Sequence, residues 1–353
     1  MRSPLVALVA AALTALVGMA GVPGPASAQQ VPGAEVALRL RDPRIVESSG
    51  LALSRRHPGV LWTHNDSGDR ARLFAVGPDG RTRAVLTLAG VAARDWEALA
   101  AGHDDHGRPA LFVGDIGDNN GVWPEVAVYR VAEPARLGDA TVPAVRYRLR
   151  YPDGSHNAEA LLVDPRSNRL YVATKAAAGA GLYRAPARLR GDRLNLLRRV
   201  ARVPPIVTDG AFAPDGRSFV LRDYQRALVY TTPGHRVGTF DLPLQVQGES
   251  IAVSPDGRSV VTGSEGPHSD VWRVPLPAAI LARVAPPGRG AAKAAPGSTA
   301  PGGPSWPATP ALAVAGGALA LLAALALLAA ALGLLAGLGA WRRRRSGRRT
   351  TRY

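Results

Sequence analysis

The chain has 353 residues, no cysteine, and 41 arginines against two lysines, with a formal net charge of +16. The lack of cysteine excludes a disulfide scaffold and any thiolate metal or nucleophile chemistry. Setting aside Arg2, Arg289, Lys293 and the seven arginines after Trp341 leaves +6 on everything between, so the charge is no argument for a nucleic-acid partner.

Residues 1–28 open with Arg2, continue through an apolar run and end on Pro25-Ala26-Ser27-Ala28, the pattern of an export signal peptide. Residues 29–284 are long enough for one large globular domain. Before any repeat begins, residues 35–40 read as a spare β-strand. Five segments then share one pattern of a polar residue, a small residue and apolar residues: Ser49-Gly50-Leu51, Glu97-Ala98-Leu99, Glu159-Ala160-Leu161, Asp209-Gly210-Ala211 and Glu249-Ser250-Ile251. Their starts lie 48, 62, 50 and 40 residues apart, a spacing suited to one four-stranded propeller blade each. Turns such as the twice-used Pro-Asp-Gly-Arg-Ser (214–218 and 255–259) and second and third strands follow every start, and no segment shows a sustained helical period. Outer strands are visible at 84–88, 145–151, 196–203 and 237–242, whereas the fifth blade lacks one. The reading is therefore an all-β, five-bladed propeller that residues 35–40 close by supplying the outer strand of blade five. A β-sandwich, or a six-bladed ring with one degenerate blade, stays open because blade two carries long insertions.

Residues 285–310 are rich in Pro, Ala and Gly and read as a stalk. Residues 311–340 carry no charge and would span about 45 Å as a helix, more than the roughly 30 Å of a bilayer core. The arginines of the basic tail, 341–353, place that end in the cytoplasm by the positive-inside rule. The expected protein is a single-pass cell-membrane protein with an extracytoplasmic propeller.

Propeller geometry turns sequence equivalence into spatial convergence. Ser49, Glu97, Glu159, Asp209 and Glu249 would ring the channel, and four carboxylates in a narrow bore must protonate, stay hydrated or bind a cation. An all-oxygen ring suits Ca²⁺, and the lack of His or Cys in it disfavours zinc. A hydrated channel with polar walls is the alternative. Loops between second and third strands on the same face offer His64, Asp66, Asp115, Asp118, Lys175, Arg222 and Asp223 as ligand-binding residues. Lys175 and Arg222 beside a cation would suit a phosphate or carboxylate, although Asn and Asp are also ordinary turn residues. There is no Gly-x-Ser-x-Gly elbow. His64 with Asp66, or His156 with Glu159, are possible acid–base pairs, and Asp95 should face the same way as Glu97.

The ring order Ser49, Glu97, Glu159, Asp209, Glu249 resembles the channel of the calcium-dependent apyrase family, five-bladed nucleotidases whose ring supplies Ser and Glu ligands to one Ca²⁺. Asp209 departs from that pattern, which has Ser there. Glu47-Ser48-Ser49-Gly50-Leu51-Ala52 and Asp95-Trp96-Glu97-Ala98-Leu99 also resemble the SdiA-regulated and phytase-esterase-like bacterial propellers. These resemblances cover the propeller alone. Two functions follow as expectations: a Ca²⁺-binding module that recognises a cell-wall, carbohydrate or protein partner, or a calcium-dependent hydrolase of phosphorylated small molecules.

Overall fold

The computed structural model describes residues 31–231 and 235–285. The expected signal peptide, the stalk beyond residue 285, the membrane span and the basic tail lie outside the described residues. Among the described residues no helix is long and apolar enough to cross a membrane.

Five antiparallel blades make up the domain. Blade one is β2 (Ser48–Leu53), β3 (Leu61–Asn65), β4 (Arg72–Val76) and β5 (Thr82–Leu88); blade two is β6 (Trp96–His103), β7 (Pro109–Asp115), β8 (Val126–Ala132) and β10 (Ala144–Arg150). Blade three is β11 (Ala158–Val163), β12 (Leu170–Thr174), β13 (Gly181–Arg184) and β15 (Arg198–Arg202). Blade four is β16 (Asp209–Phe212), β17 (Ser218–Arg222), β18 (Arg226–Thr231) and β19 (His235–Asp241). Blade five is β20 (Gly248–Val253), β21 (Ser259–Ser264) and β22 (Asp270–Pro275), completed by β1 (Glu35–Arg39). The innermost strands neighbour one another in cyclic order, β2 meeting both β6 and β20, so the ring closes with five blades.

The spare strand does what its sequence predicts. β1 pairs antiparallel with β22, with Glu35 opposite Arg273, and the Arg39 guanidinium clasps Asp270 at 2.7 and 3.0 Å. The long insertions resolve into edge covers. β9 (Ala140–Val142) runs parallel to β5 as a fifth strand of blade one, and β14 (Asn195–Leu196) does the same for β10 of blade two. The outer strand expected over 196–203 therefore divides between two blades. One short helix departs from the expected all-strand domain: α1 (Ala278–Val284), which buries Ile280.

The apolar side chains form five separate cores, one in each interface between neighbouring blades. Alternation on each strand dictates this, since successive side chains point to opposite faces of a blade and both faces are covered. Trp62 and Trp96, fully buried between blades one and two, are the largest members. Burying a large apolar side chain contributes roughly 1.5–3 kcal/mol, so the disc is held mainly by what lies between its blades.

Candidate metal centre

The five ring residues are all buried at the starts of their strands, between 1% and 4% exposed. Four of these starts carry the same irregularity. Trp96 pairs with Asp115 and Ala98 with Gly114, which leaves Glu97 as an extra, unpaired residue. Glu159 is bypassed in the same way between Ala158 and Ala160, and Glu249 between Gly248 and Ser250. In blade one the slip falls between Ser48 and Leu51, over Ser49 and Gly50. A bulge re-aims a side chain that strict alternation would bury between blades. Blade four has none: Asp209 pairs in register with Arg222.

A second repeated contact brings the loops in. In four blades the first residue or two after the second strand sends its N–H to the carbonyl two residues before the ring residue: Asp66 to Glu47, Gly117 to Asp95, Lys175 to Asn157 and Glu265 to Gln247, at 3.0–3.3 Å. These positions surround the bulged carboxylates. Ligand oxygens of Asp66, Asp95 and Glu97 all lie within 4.8 Å of one another. Gly117 makes that approach possible, because any side chain there would run into the Glu97 and Asp95 carboxylates. Asp95 is oriented by Asp115, which accepts its N–H at 3.0 Å, and by the Asn119 amide at 3.2 Å.

Charge here is lopsided. Burial, with Glu159 and Asp66 adding repulsion, pushes Glu97 up to about 10. Burial and the neighbouring Asp95 and Glu265 push Asp66 up to about 7, and Glu265 itself rises to about 7 through burial beside Glu249. Glu159 rises to about 8 through burial and Glu249, even though the Lys175 ammonium donates to it at 2.6 Å. Burial opposes the Lys175 charge, but Glu159 outweighs it and holds the lysine above its ordinary value. Glu249 accepts from Gln247 on one oxygen at 3.0 Å, and its other oxygen, buried, has no hydrogen-bond partner. Six carboxylates thus gather around one lysine, with the Arg222 charge also reaching Glu249, and the lysine ammonium lies 5.2 Å from the centre of the Tyr224 ring.

Other predicted residues have structural tasks. Ser49 donates its hydroxyl to the Glu97 carbonyl at 2.8 Å, tying blade one to blade two. Asp209 accepts the Ile251 N–H at 2.7 Å, tying blade four to blade five, and its other oxygen is buried without a partner. The Arg222 expectation needs correction. Its guanidinium is fully buried and donates to the carbonyls of Asp223, Tyr224, Ser250 and Gly263 and to Gln245, which encloses it away from a ligand anion. Only glycine at 248 leaves room for it. Asp223 closes its own turn by accepting from the Gln225 and Arg226 N–H groups and pairing with Arg226. Asp118 likewise accepts the N–H groups of Val122 and Trp123.

Neither proposed acid–base pair forms. His64 is buried with Nδ1 on the Asn65 carbonyl at 2.8 Å, and burial lowers it to about 4. His156 meets Asp153 at 3.0 Å rather than Glu159. Glu265 and Gln247 were not among the predicted site residues. The signal for them was available, since Glu265 occupies in blade five the loop position of Asp66 and Lys175.

The all-oxygen donor set of Asp66, Asp95 and Glu97, with an orphaned buried Glu249 oxygen nearby and no imidazole in the group, fits a hard divalent cation and not zinc.

No protein-family model matches the chain, and no curated protein matches its sequence. Among solved structures the chain is similar to a gluconolactonase from Xanthomonas campestris described as important in glucose secondary metabolic pathways, with 18% identity, a TM-score of 0.39, and coverage of 67% of this chain and 87% of that one.

Proposed function

We propose that this protein is a membrane-anchored, extracytoplasmic propeller that holds Ca²⁺ at one mouth of its channel and uses it to engage a polar or anionic ligand. Asp66, Asp95 and Glu97 would hold the ion, with Glu159, Glu249 and Glu265 around it. One observation carries the reading: three carboxylates converge within 4.8 Å in a setting where burial and mutual repulsion disfavour their charged forms. The resemblance of the ring order to calcium-dependent apyrases adds support. When bound, the ion supplies a fixed positive charge that binds and polarises an oxygen ligand. The signal peptide, the uncharged stretch 311–340 and the basic tail support the placement at the cell membrane.

The partner is a cell-wall, carbohydrate or protein ligand. The alternative is calcium-dependent phosphoester hydrolysis, in which Lys175 alone among the predicted cations would stand beside the ion, since Arg222 is enclosed. A thermal-unfolding titration of the purified full-length protein tests the metal. Ca²⁺ should raise the melting temperature in a saturable way, and Glu97→Gln should abolish that rise. An unresponsive wild-type protein, or an equal response in the variant, overturns the reading. Turnover of a phosphomonoester that needs Ca²⁺ would decide for the hydrolase.

A further inference from the structure

The opposite mouth of the channel is built differently. The downstream halves of all five innermost strands, with the turns that follow them, line a recess of ≈ 480 Å³. That volume lies within the range of small-molecule sites. Its walls are mixed: every blade contributes, with the half-buried Leu53, Phe212 and Val253 supplying apolar surface and Ser54, Arg55 and His103 polar groups. No carboxylate lines it; Arg55 and His103 do.

Arg55 is exposed, and its guanidinium makes one contact, with the Ala101 carbonyl at 3.4 Å. Among the described residues no carboxylate lies within ion-pair distance of it. Glu133, whose field reaches Arg55, is taken up by the Ser54 hydroxyl, by the Trp62 indole at 3.0 Å and by the N–H of Arg55 itself at 3.2 Å. Asp104, beside His103, is held by Arg108 at 2.7 Å. Partial burial and the Arg55 charge lower the proton affinity of His103. The Arg55 guanidinium therefore stands at the recess with no carboxylate within ion-pair distance among the described residues, Glu133 acting on it only at longer range.

We infer that this recess binds a small organic carboxylate with an apolar body, the hydrocarbon lying against the apolar part of the recess around Leu53, Phe212 and Val253 and the carboxylate on Arg55. A guanidinium presents two parallel N–H donors that match a carboxylate. The apolar part of the recess rewards each methylene taken out of water. An inorganic anion gains nothing from that part, an uncharged hydrocarbon leaves Arg55 without its partner, and an ammonium is repelled.

Isothermal titration of the purified full-length protein with octanoate tests the inference. Octanoate should bind, octanol about tenfold more weakly or less, and octylammonium not measurably. Affinity should rise with each methylene from butanoate to octanoate, by less than the roughly fourfold of complete apolar burial. Arg55→Gln, a change at an exposed position, should weaken octanoate binding about tenfold or more while leaving the Ca²⁺ response at the other mouth as in wild type. The inference fails if octanoate does not bind at millimolar concentration, or if Arg55→Gln binds it as wild type does. It fails equally if Glu97→Gln with Arg55 intact abolishes binding, because the carboxylate would then sit on the metal.

Discussion

Blade four and the other four blades start their innermost strands from equivalent sequence and reach different chemistry. In blades one, two, three and five a bulge at the start swings the ring residue out of the pleat, and in three of these it carries a glutamate to the carboxylate cluster. In blade four the register is unbroken, so Asp209 lies in the sheet opposite Arg222 and binds the Ile251 N–H of the next blade. Arg222 reaches the same way, to the Ser250 and Gly263 carbonyls of blade five. One extra residue in a strand thus separates a site-facing carboxylate from a structural one.

The largest effect that would break this contrast is expected from Arg222→Met. Removing the buried guanidinium leaves several buried carbonyls without donors, and stability measured by denaturant unfolding should fall by about 3–5 kcal/mol. A loss below about 1 kcal/mol would return Arg222 to the pool of ligand contacts.

Next comes the pH dependence of the bulged glutamates. Glu97 and Glu159 have folded-state values of about 10 and about 8, above their ordinary value near 4.5, so the metal-free folded state binds more protons than the unfolded state in between. Stability must then fall as pH rises from about 5 to about 8, by up to about 1.4 kcal/mol per pH unit for each such carboxyl. Saturating Ca²⁺ should flatten the fall, and Glu97→Gln should reduce it without metal. Leu51→Ala, in the core between blades five and one, should cost about 2–5 kcal/mol while leaving the slope unchanged. A metal-free protein whose unfolding is equally stable across this window would contradict the crowding of charge. The smallest change is Ser49→Ala, which removes one inter-blade hydrogen bond and should cost about 1 kcal/mol by the same measurement, with Ca²⁺ affinity retained. Loss of Ca²⁺ affinity would instead make the Ser49 hydroxyl a ligand.

The blades, their order and the closing strand were legible in the sequence because period-2 alternation and Asp-Gly turns are local signals. The ring was legible as a set of positions but not as a set of directions. Whether Asp209 or Glu249 faces the cluster depends on a bulge, and nothing in the triplets Asp209-Gly210-Ala211 and Glu249-Ser250-Ile251 announces which of the two has one. Arg222 misled for a related reason. A basic residue at the end of a strand reads as a loop cation, and its burial depends on Gly248, distant in sequence, leaving space for the guanidinium. Asp95 does share the cluster with Glu97 as expected, but through the bulge at Glu97 and the Asp115 and Asn119 contacts rather than through the strand alternation the sequence suggested.

The strand that completes blade five belongs to the first part of the domain to be made. Arg39 and Asp270 stand 231 residues apart in the chain, so the N-terminal segment waits for its partner until almost the whole domain has been synthesised. Contacts of such long range slow folding, and in the interval the chain exposes two bare sheet edges at once. The ring therefore cannot close until the last strands of the domain have met the first.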